Sequence, residues 1–140
     1  MSKKQWLCAP LVSIGLLGCA AMLEPRSMGC ASGVCKVDVT VVNCAITVEP
    51  NTLTVQQPRG RKKIHWDIVS ADYIFAANGI AFKDDPDSEF DTPDLSPTAK
   101  KFKWDDKHSK AGYYHYSVTV IKTGADPKQC PTLDPLIANQ

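Results

Sequence analysis

An excess of charge of either sign is missing from this chain: 16 Lys and Arg stand against 15 Asp and Glu, a formal net of +1. No basic excess exists to draw a nucleic-acid backbone, and no acidic excess marks a solvating tail. Nucleic acid is therefore not an expected partner. Histidine is scarce, with three residues (His65, His108, His115) and no His-x-x-x-His pair to hold zinc. There is no Ser flanked by glycines and no metalloprotease helix pattern. Asp105, Asp106 and His108 offer acid–base groups in principle, but three polar residues in one loop are commonplace. The expectation is a protein that is not an enzyme and carries no cofactor and no metal. Internal repeats and low-complexity tracts are absent as well.

What is present reads as β structure. Proline is frequent at 10 and glycine modest at 8, and short β-branched stretches alternate with polar residues. That suits a turn-rich β domain better than a helical bundle. A chain of 140 residues is enough for one domain. If the first segment is removed, about 120 residues remain, and such a chain buries roughly two thirds of its unfolded surface.

Lys3 and Lys4 open the chain with positive charge, and residues 7–18 form an apolar, uncharged run of twelve. A transmembrane helix needs about 20 residues, so this run has the length of an export-signal core. It ends in Leu16-Leu17-Gly18-Cys19. This segment resembles the lipobox of bacterial prolipoproteins, with Leu three before the cysteine and a small residue just before it. The resemblance implies that residues 1–18 are a signal peptide, that cleavage falls before Cys19, and that Cys19 is lipidated. Each buried methylene contributes about 0.8 kcal/mol, so one acyl chain binds marginally and two or three hold firmly. Ala20 stands where the family's inner-membrane proteins tend to carry Asp, which favours the outer membrane in a Gram-negative cell. The alternative is an ordinary signal cut after Ala21.

Six cysteines are present. Cys8 lies in the signal core and Cys19 takes lipid, leaving Cys30, Cys35, Cys44 and Cys130. An even number in an exported chain reads as disulfides. Three pairings are open, and Cys30–Cys35 with Cys44–Cys130 is favoured. The first closes a small loop in which Gly33 can turn, and the second ties the tail to an early strand.

Residues 19–35 lack periodicity and read as a lipidated tether; residues 36–140 are the domain. Strands are expected over 36–42, 44–48, 53–56, 62–69, 72–75, 80–82, 101–104 and 113–122. Asn78-Gly79 signals a hairpin or bulge. Residues 83–97, with three prolines, read as a long loop, and 126–140 as a proline-punctuated tail. The expected core is Val39, Ile46, Val48, Ile64, Trp66, Ile68, Phe75, Phe102, Trp104, Tyr116, Val118 and Val120. The fold class is all-β, an antiparallel sandwich of about seven strands. "KKIHWDI" and "GYYHYSVTV" resemble corresponding strands of the cupredoxin and immunoglobulin-like sandwiches. A blue-copper site needs two His, a Cys thiolate and an axial ligand, usually Met. The last eighteen residues hold Cys130 but neither His nor Met, so the resemblance implies the fold without the copper.

Asp84, Asp85, Asp87, Glu89, Asp91 and Asp94 make an acidic stretch that lacks the glycine of a calcium-binding EF-hand loop. Arg59, Arg61, Lys62 and Lys63 form one basic stretch, and Lys100, Lys101, Lys103, Lys107 and Lys110 another. They either pair with the acidic stretch, touch anionic lipid, or simply keep strand ends soluble. Trp104, Tyr113, Lys101 and Lys103 are the candidate binding surface. The expected protein is a lipid-anchored cell-envelope protein with a binding or structural role. Its partners are the membrane and either another envelope protein or a glycan. The alternative is a small envelope enzyme or metal-handling protein on the same sandwich.

Overall fold

A computed structural model of the chain describes residues 29–31 and 33–140. The signal segment 1–18, Cys19 and most of the expected tether lie outside the described residues. The described chain forms eleven strands: β1 (Gly29–Cys30), β2 (Val34–Val42), β3 (Ala45–Glu49), β4 (Thr52–Val55), β5 (Lys62–Ile68), β6 (Tyr73–Phe82), β7 (Phe90–Leu95), β8 (Lys101–Asp106), β9 (Gly112–Lys122), β10 (Lys128–Gln129) and β11 (Leu136–Asn139).

They build two facing sheets. One has five strands in the order β3-β2-β5-β8-β7. The other has six: β1-β4-β11-β9 run side by side, and β10 and β6 also pair with β9. The all-β sandwich expected from alternation is present, but it is mixed rather than antiparallel. β2 runs parallel to β5, and β4 runs parallel to both β1 and β11. Alternation specifies which face a residue takes, not the direction of the neighbouring strand.

The periodicity of two is plain in β2, where Cys35, Val37, Val39 and Val41 are buried between exposed neighbours. In β5, Ile64 and Trp66 are fully buried, and in β9 so are Tyr116, Val118 and Val120. Of the expected core, Trp104 alone is half-buried, although its ring packs against the core. Aromatic pairs cross between the sheets: Trp66 meets Tyr116 edge-on at 5.4 Å, Phe75 meets Phe102 at 5.8 Å, and Phe82 stacks on Phe90 at 3.7 Å. Each such pair contributes about 0.5–1.5 kcal/mol beyond area burial. Burial pushes the Tyr116 phenol up to about 12.

Four short strands take the count past seven. Gly29–Cys30 and Val34–Cys35, read as tether, are β1 and the start of β2. Phe90–Leu95 forms edge strand β7 inside the expected loop, its Pro93 tolerated because an edge strand leaves one side unpaired. The proline-punctuated tail runs beside β9 almost throughout, from Lys128 opposite Lys122 to Asn139 opposite Gly112. A single bridge, Leu133 to Val118, joins its two strands. The Asn78-Gly79 signal is a bulge within β6, not a hairpin: the register shifts between Phe75 and Ile80. A Cβ at Gly79 would come within 2.8 Å of the Phe75 Cβ, so the bulge needs glycine there.

Both favoured disulfides are present, Cys30–Cys35 with an S–S distance of 2.03 Å and Cys44–Cys130 at 2.17 Å. Each joins one sheet to the other. Cys35 sits near the start of β2 and Cys44 just beyond its end, so the two bonds lie roughly 30 Å apart along that strand. Asn43 and Cys44 form the two-residue turn between β2 and β3, with φ of 49° and 63°. That left-handed pair matches the twist of a tight hairpin.

Candidate functional site

The outward face of the five-stranded sheet is a ladder of charge. Three rows cross it. Lys63 faces Asp105 and forms an ion pair at 3.5 Å, and Asp67 faces Lys101 and forms one at 3.2 Å. Between them, His65 stands opposite Lys36 on one side and Lys103 on the other. Lys103 reaches sideways to Asp94 at 3.6 Å, while the Lys36 side chain makes no hydrogen bond or ion pair with any described residue. The His65 Nε2 atom is shielded from solvent and has no hydrogen-bond partner among the described residues. Burial, together with the charges of Lys103, Lys101 and Lys63, holds the imidazole below its ordinary 6.5; Asp67 pulls the other way.

The outward face of the six-stranded sheet has another chemistry. Thr54, Ala138 and Tyr113 form one row, and Thr52, Leu136 and His115 the next. No Lys, Arg, Asp or Glu occupies these rows, and Tyr113 is 74% exposed. The expected surface of Trp104, Tyr113, Lys101 and Lys103 is therefore not one surface. Lys101 and Lys103 lie on the charged face and Tyr113 on the opposite side of the molecule. Trp104 points between the sheets, where its ring meets Phe82 at 5.3 Å and its Nε1 donates to the Ile80 carbonyl at 3.1 Å. The side chains are close in sequence, but strand alternation sends Trp104 inward between two outward lysines.

One end of the sandwich holds a sealed polar cluster. Glu89, Asp106, His108 and Asn139 are each at most 4% exposed. The Glu89 carboxylate accepts hydrogen bonds from the Ser109 main-chain N–H at 2.8 Å, the Ser109 hydroxyl, and the Lys110 N–H at 3.4 Å. Burial alone would raise its pKa, but those donors and the Lys107 charge outweigh it and hold the carboxyl below its ordinary value. Asp106 differs. One oxygen accepts from the His108 N–H at 2.8 Å and the Asn139 amide at 3.2 Å, and the other has no partner among the described residues. Burial wins there and raises its pKa. His108 Nε2 donates to the Gln140 carbonyl oxygen at 2.9 Å. Asp105, by contrast, faces out and pairs with Arg61 and Lys63. The three polar residues that offered acid–base chemistry are thus divided, two of them sealed from any substrate.

The acidic and basic stretches pair with each other. Arg61 meets Asp91 at 2.8 Å, Lys110 meets Asp87 at 2.7 Å and Lys107 meets Asp91 at 3.9 Å. Asp85 is used internally, capping the N–H groups of Glu89 and Phe90. No cluster of three or more metal-ligating side chains occurs among the described residues. At the other end of the sandwich, the Cys44–Cys130 bond lies in a shallow groove of about 790 Å³ between the β2–β3 turn and the tail.

Sequence reading missed Glu89, Asn139 and the Lys36–His65–Lys103 row. Glu89 looked like one acid among six in a loop. His65 and Lys103 stand on strands that were found, but their juxtaposition with Lys36 depends on a parallel pairing that no local pattern announces. Neither a protein-family model nor a curated protein matches this chain.

Proposed function

We propose that this chain is a lipid-anchored cell-envelope protein whose rigid β-sandwich serves a binding or structural role. The single observation that carries the reading is the distribution of its cysteines. The four outside the signal region pair into two bonds that cross between the sheets. Such bonds belong to oxidising compartments outside the cytosol. Cys19 has no part in them, and it stands at the end of a lipobox-like segment. Gly29 stands ten positions after Cys19, a reach of at most about 35 Å. An anchored domain on that leash works close to its membrane, with the outer membrane favoured in a Gram-negative cell. One exposed sheet face carries ion pairs and the other the exposed Tyr113, which suits contact with another envelope protein or a glycan.

The test is substitution of the anchor. In a bacterial host fed labelled palmitate, the wild-type chain takes up label and partitions with the envelope membranes. Cys19→Ser takes up none and appears in the soluble fraction. Equal partitioning of the two forms would sink the proposal.

A further inference from the structure

We propose that the outer edge of β3 binds an extended segment of another protein by strand addition, and that this segment carries a basic side chain opposite Glu49. β3 pairs with β2 alone, from Ala45 opposite Val42 to Glu49 opposite Asp38. Residues of an antiparallel pair turn their N–H and C=O groups alternately toward the partner strand and away from it. Val42 and Ala45 flank the two-residue turn, so Ala45, Thr47 and Glu49 bond β2. Ile46 and Val48 therefore direct theirs outward. Their opposite numbers on β2 likewise bond away from β3: the Val41 N–H donates to the Ser70 hydroxyl at 2.8 Å, and the Val39 carbonyl accepts from the Val69 N–H at 3.0 Å. The outward groups of Ile46 and Val48 make no hydrogen bond with a described residue.

Bare edge strands invite pairing, and proteins blunt them. The other described edges of more than two residues are blunted. β7, at the far side of the same sheet, carries Pro93 and a shift of register between Asp91 and Asp94. Along β6, the Phe75 N–H donates to the Ala99 carbonyl at 2.7 Å, the Lys100 ammonium to the Tyr73 carbonyl, and Trp104 Nε1 to the Ile80 carbonyl. β3 has no proline, lysine or bulge.

Two further features define the occupant. The groove of about 790 Å³ lies between the start of β3 and residues 128–133, with Ile46, Pro131 and Leu133 in its lining. Core-side residues of an added strand would meet that groove, as alternate side chains do in strand addition. Lys128 also lines it, which disfavours a cation there. On the outward face, Glu49, Asp38 and Asp67 stand directly opposite one another, and Lys101 pairs with Asp67. The side chains of Glu49 and Asp38 make no ion pair with a described residue. A cationic side chain opposite Glu49 supplies the missing charge. A second copy of β3 would not: antiparallel pairing centred on Thr47 sets Glu49 against Ala45 and leaves the carboxylates of both copies uncompensated. The edge deepens the binding role proposed above and rests on that part of it, not on the anchor.

The test uses the purified full-length chain carrying Cys19→Ser, so membrane attachment and peptide binding are read separately. The probe is the capped peptide Lys-Val-Thr-Ile-Thr. Antiparallel docking places its Lys opposite Glu49, and its Val and Ile opposite Val48 and Ile46. Bound peptide should slow hydrogen exchange of the Ile46 and Val48 amides about tenfold and leave the β7 amides unchanged. N-methylation of its Val and Ile removes two donors aimed at β3 and should weaken binding about tenfold or more. Glu49→Gln should weaken it about threefold, the worth of an exposed ion pair. Glu49→Lys should instead prefer the peptide with Glu in place of Lys. Unchanged exchange at Ile46 and Val48 would overturn the site. So would a charge preference that Glu49→Lys fails to reverse. Self-association of the free chain that protects the same amides would give the edge to a second copy and overturn it too.

Discussion

The two sheets of this sandwich are built on different plans. The five-stranded sheet takes its strands from the stretch between Val34 and Asp106, and its outward face is laced with ion pairs. The six-stranded sheet sets short pieces, some from both ends of the described chain, beside the two longest described strands, β6 and β9. β1, β4 and β11 contribute two, four and four residues, and they meet through parallel pairing. Its outward face is nearly free of charge around Tyr113. The difference teaches that the charged sheet is the scaffold with chemistry on it. The other is an assembled wall that must be fastened, and both disulfides fasten it.

Breaking those fasteners gives the largest expected effect. On the chain-entropy view, a bond closing a long loop constrains the unfolded chain more than one closing a short loop. Cys44 and Cys130 are 86 residues apart and Cys30 and Cys35 only five. Replacing both members of the first pair by Ala should cost about 4.5 kcal/mol in urea unfolding, and replacing the second pair about 2 kcal/mol. Equal losses would show that the tail is not held to the charged sheet in solution.

The sealed polar end, where both sheets contribute, gives the next effect. Glu89→Ala strips two N–H groups and a hydroxyl of their acceptor and should cost about 3 kcal/mol, read by the same unfolding curves. The two buried carboxylates should also respond to pH in opposite directions. Glu89, held below its ordinary 4.5, contributes stability that is present above that pH and lost as pH falls through its folded value. Asp106, raised above 3.8, binds its proton more tightly when folded. Its ionised form therefore costs stability, and the cost grows as pH climbs from 3.8 through its folded value. Glu89→Gln should flatten the acid loss, and Asp106→Asn should steepen it. The same slope in both variants would mean that the environments of the two groups are not distinct.

The smallest effects belong to the two outward faces. Tyr113→Ala and Lys103→Met should each change stability by no more than about 0.5 kcal/mol. A larger loss at Tyr113 would mean that the uncharged wall depends on its exposed ring.

Much of the charged sheet was legible in the sequence. Val37, Val39 and Val41, and Ile64, Trp66 and Ile68, alternate cleanly because one side of each strand faces the core. Cysteine parity led to both disulfides. The assembled wall was harder to read. Leu136–Asn139 is too short for a period to show, and Ile137, Ala138 and Asn139 are all buried, so alternation vanishes. β7 hid behind Pro93, which an edge position accommodates. Glu89 could not be singled out from its acidic neighbours, because its hydrogen-bond donors come from Ser109 and Lys110, twenty and twenty-one residues away in sequence. The candidate surface failed for a simpler reason: nearness in sequence is not nearness in space when successive strand residues face opposite ways.

The most direct measurement is the mass of the amino-terminal peptide of the protein recovered from a bacterial envelope. A lipid-anchored protein yields a peptide that begins at Cys19 and carries a diacylglycerol and an amide-linked acyl chain. A peptide beginning at Met1 or Met22, or one with an unmodified Cys19, would contradict the anchor.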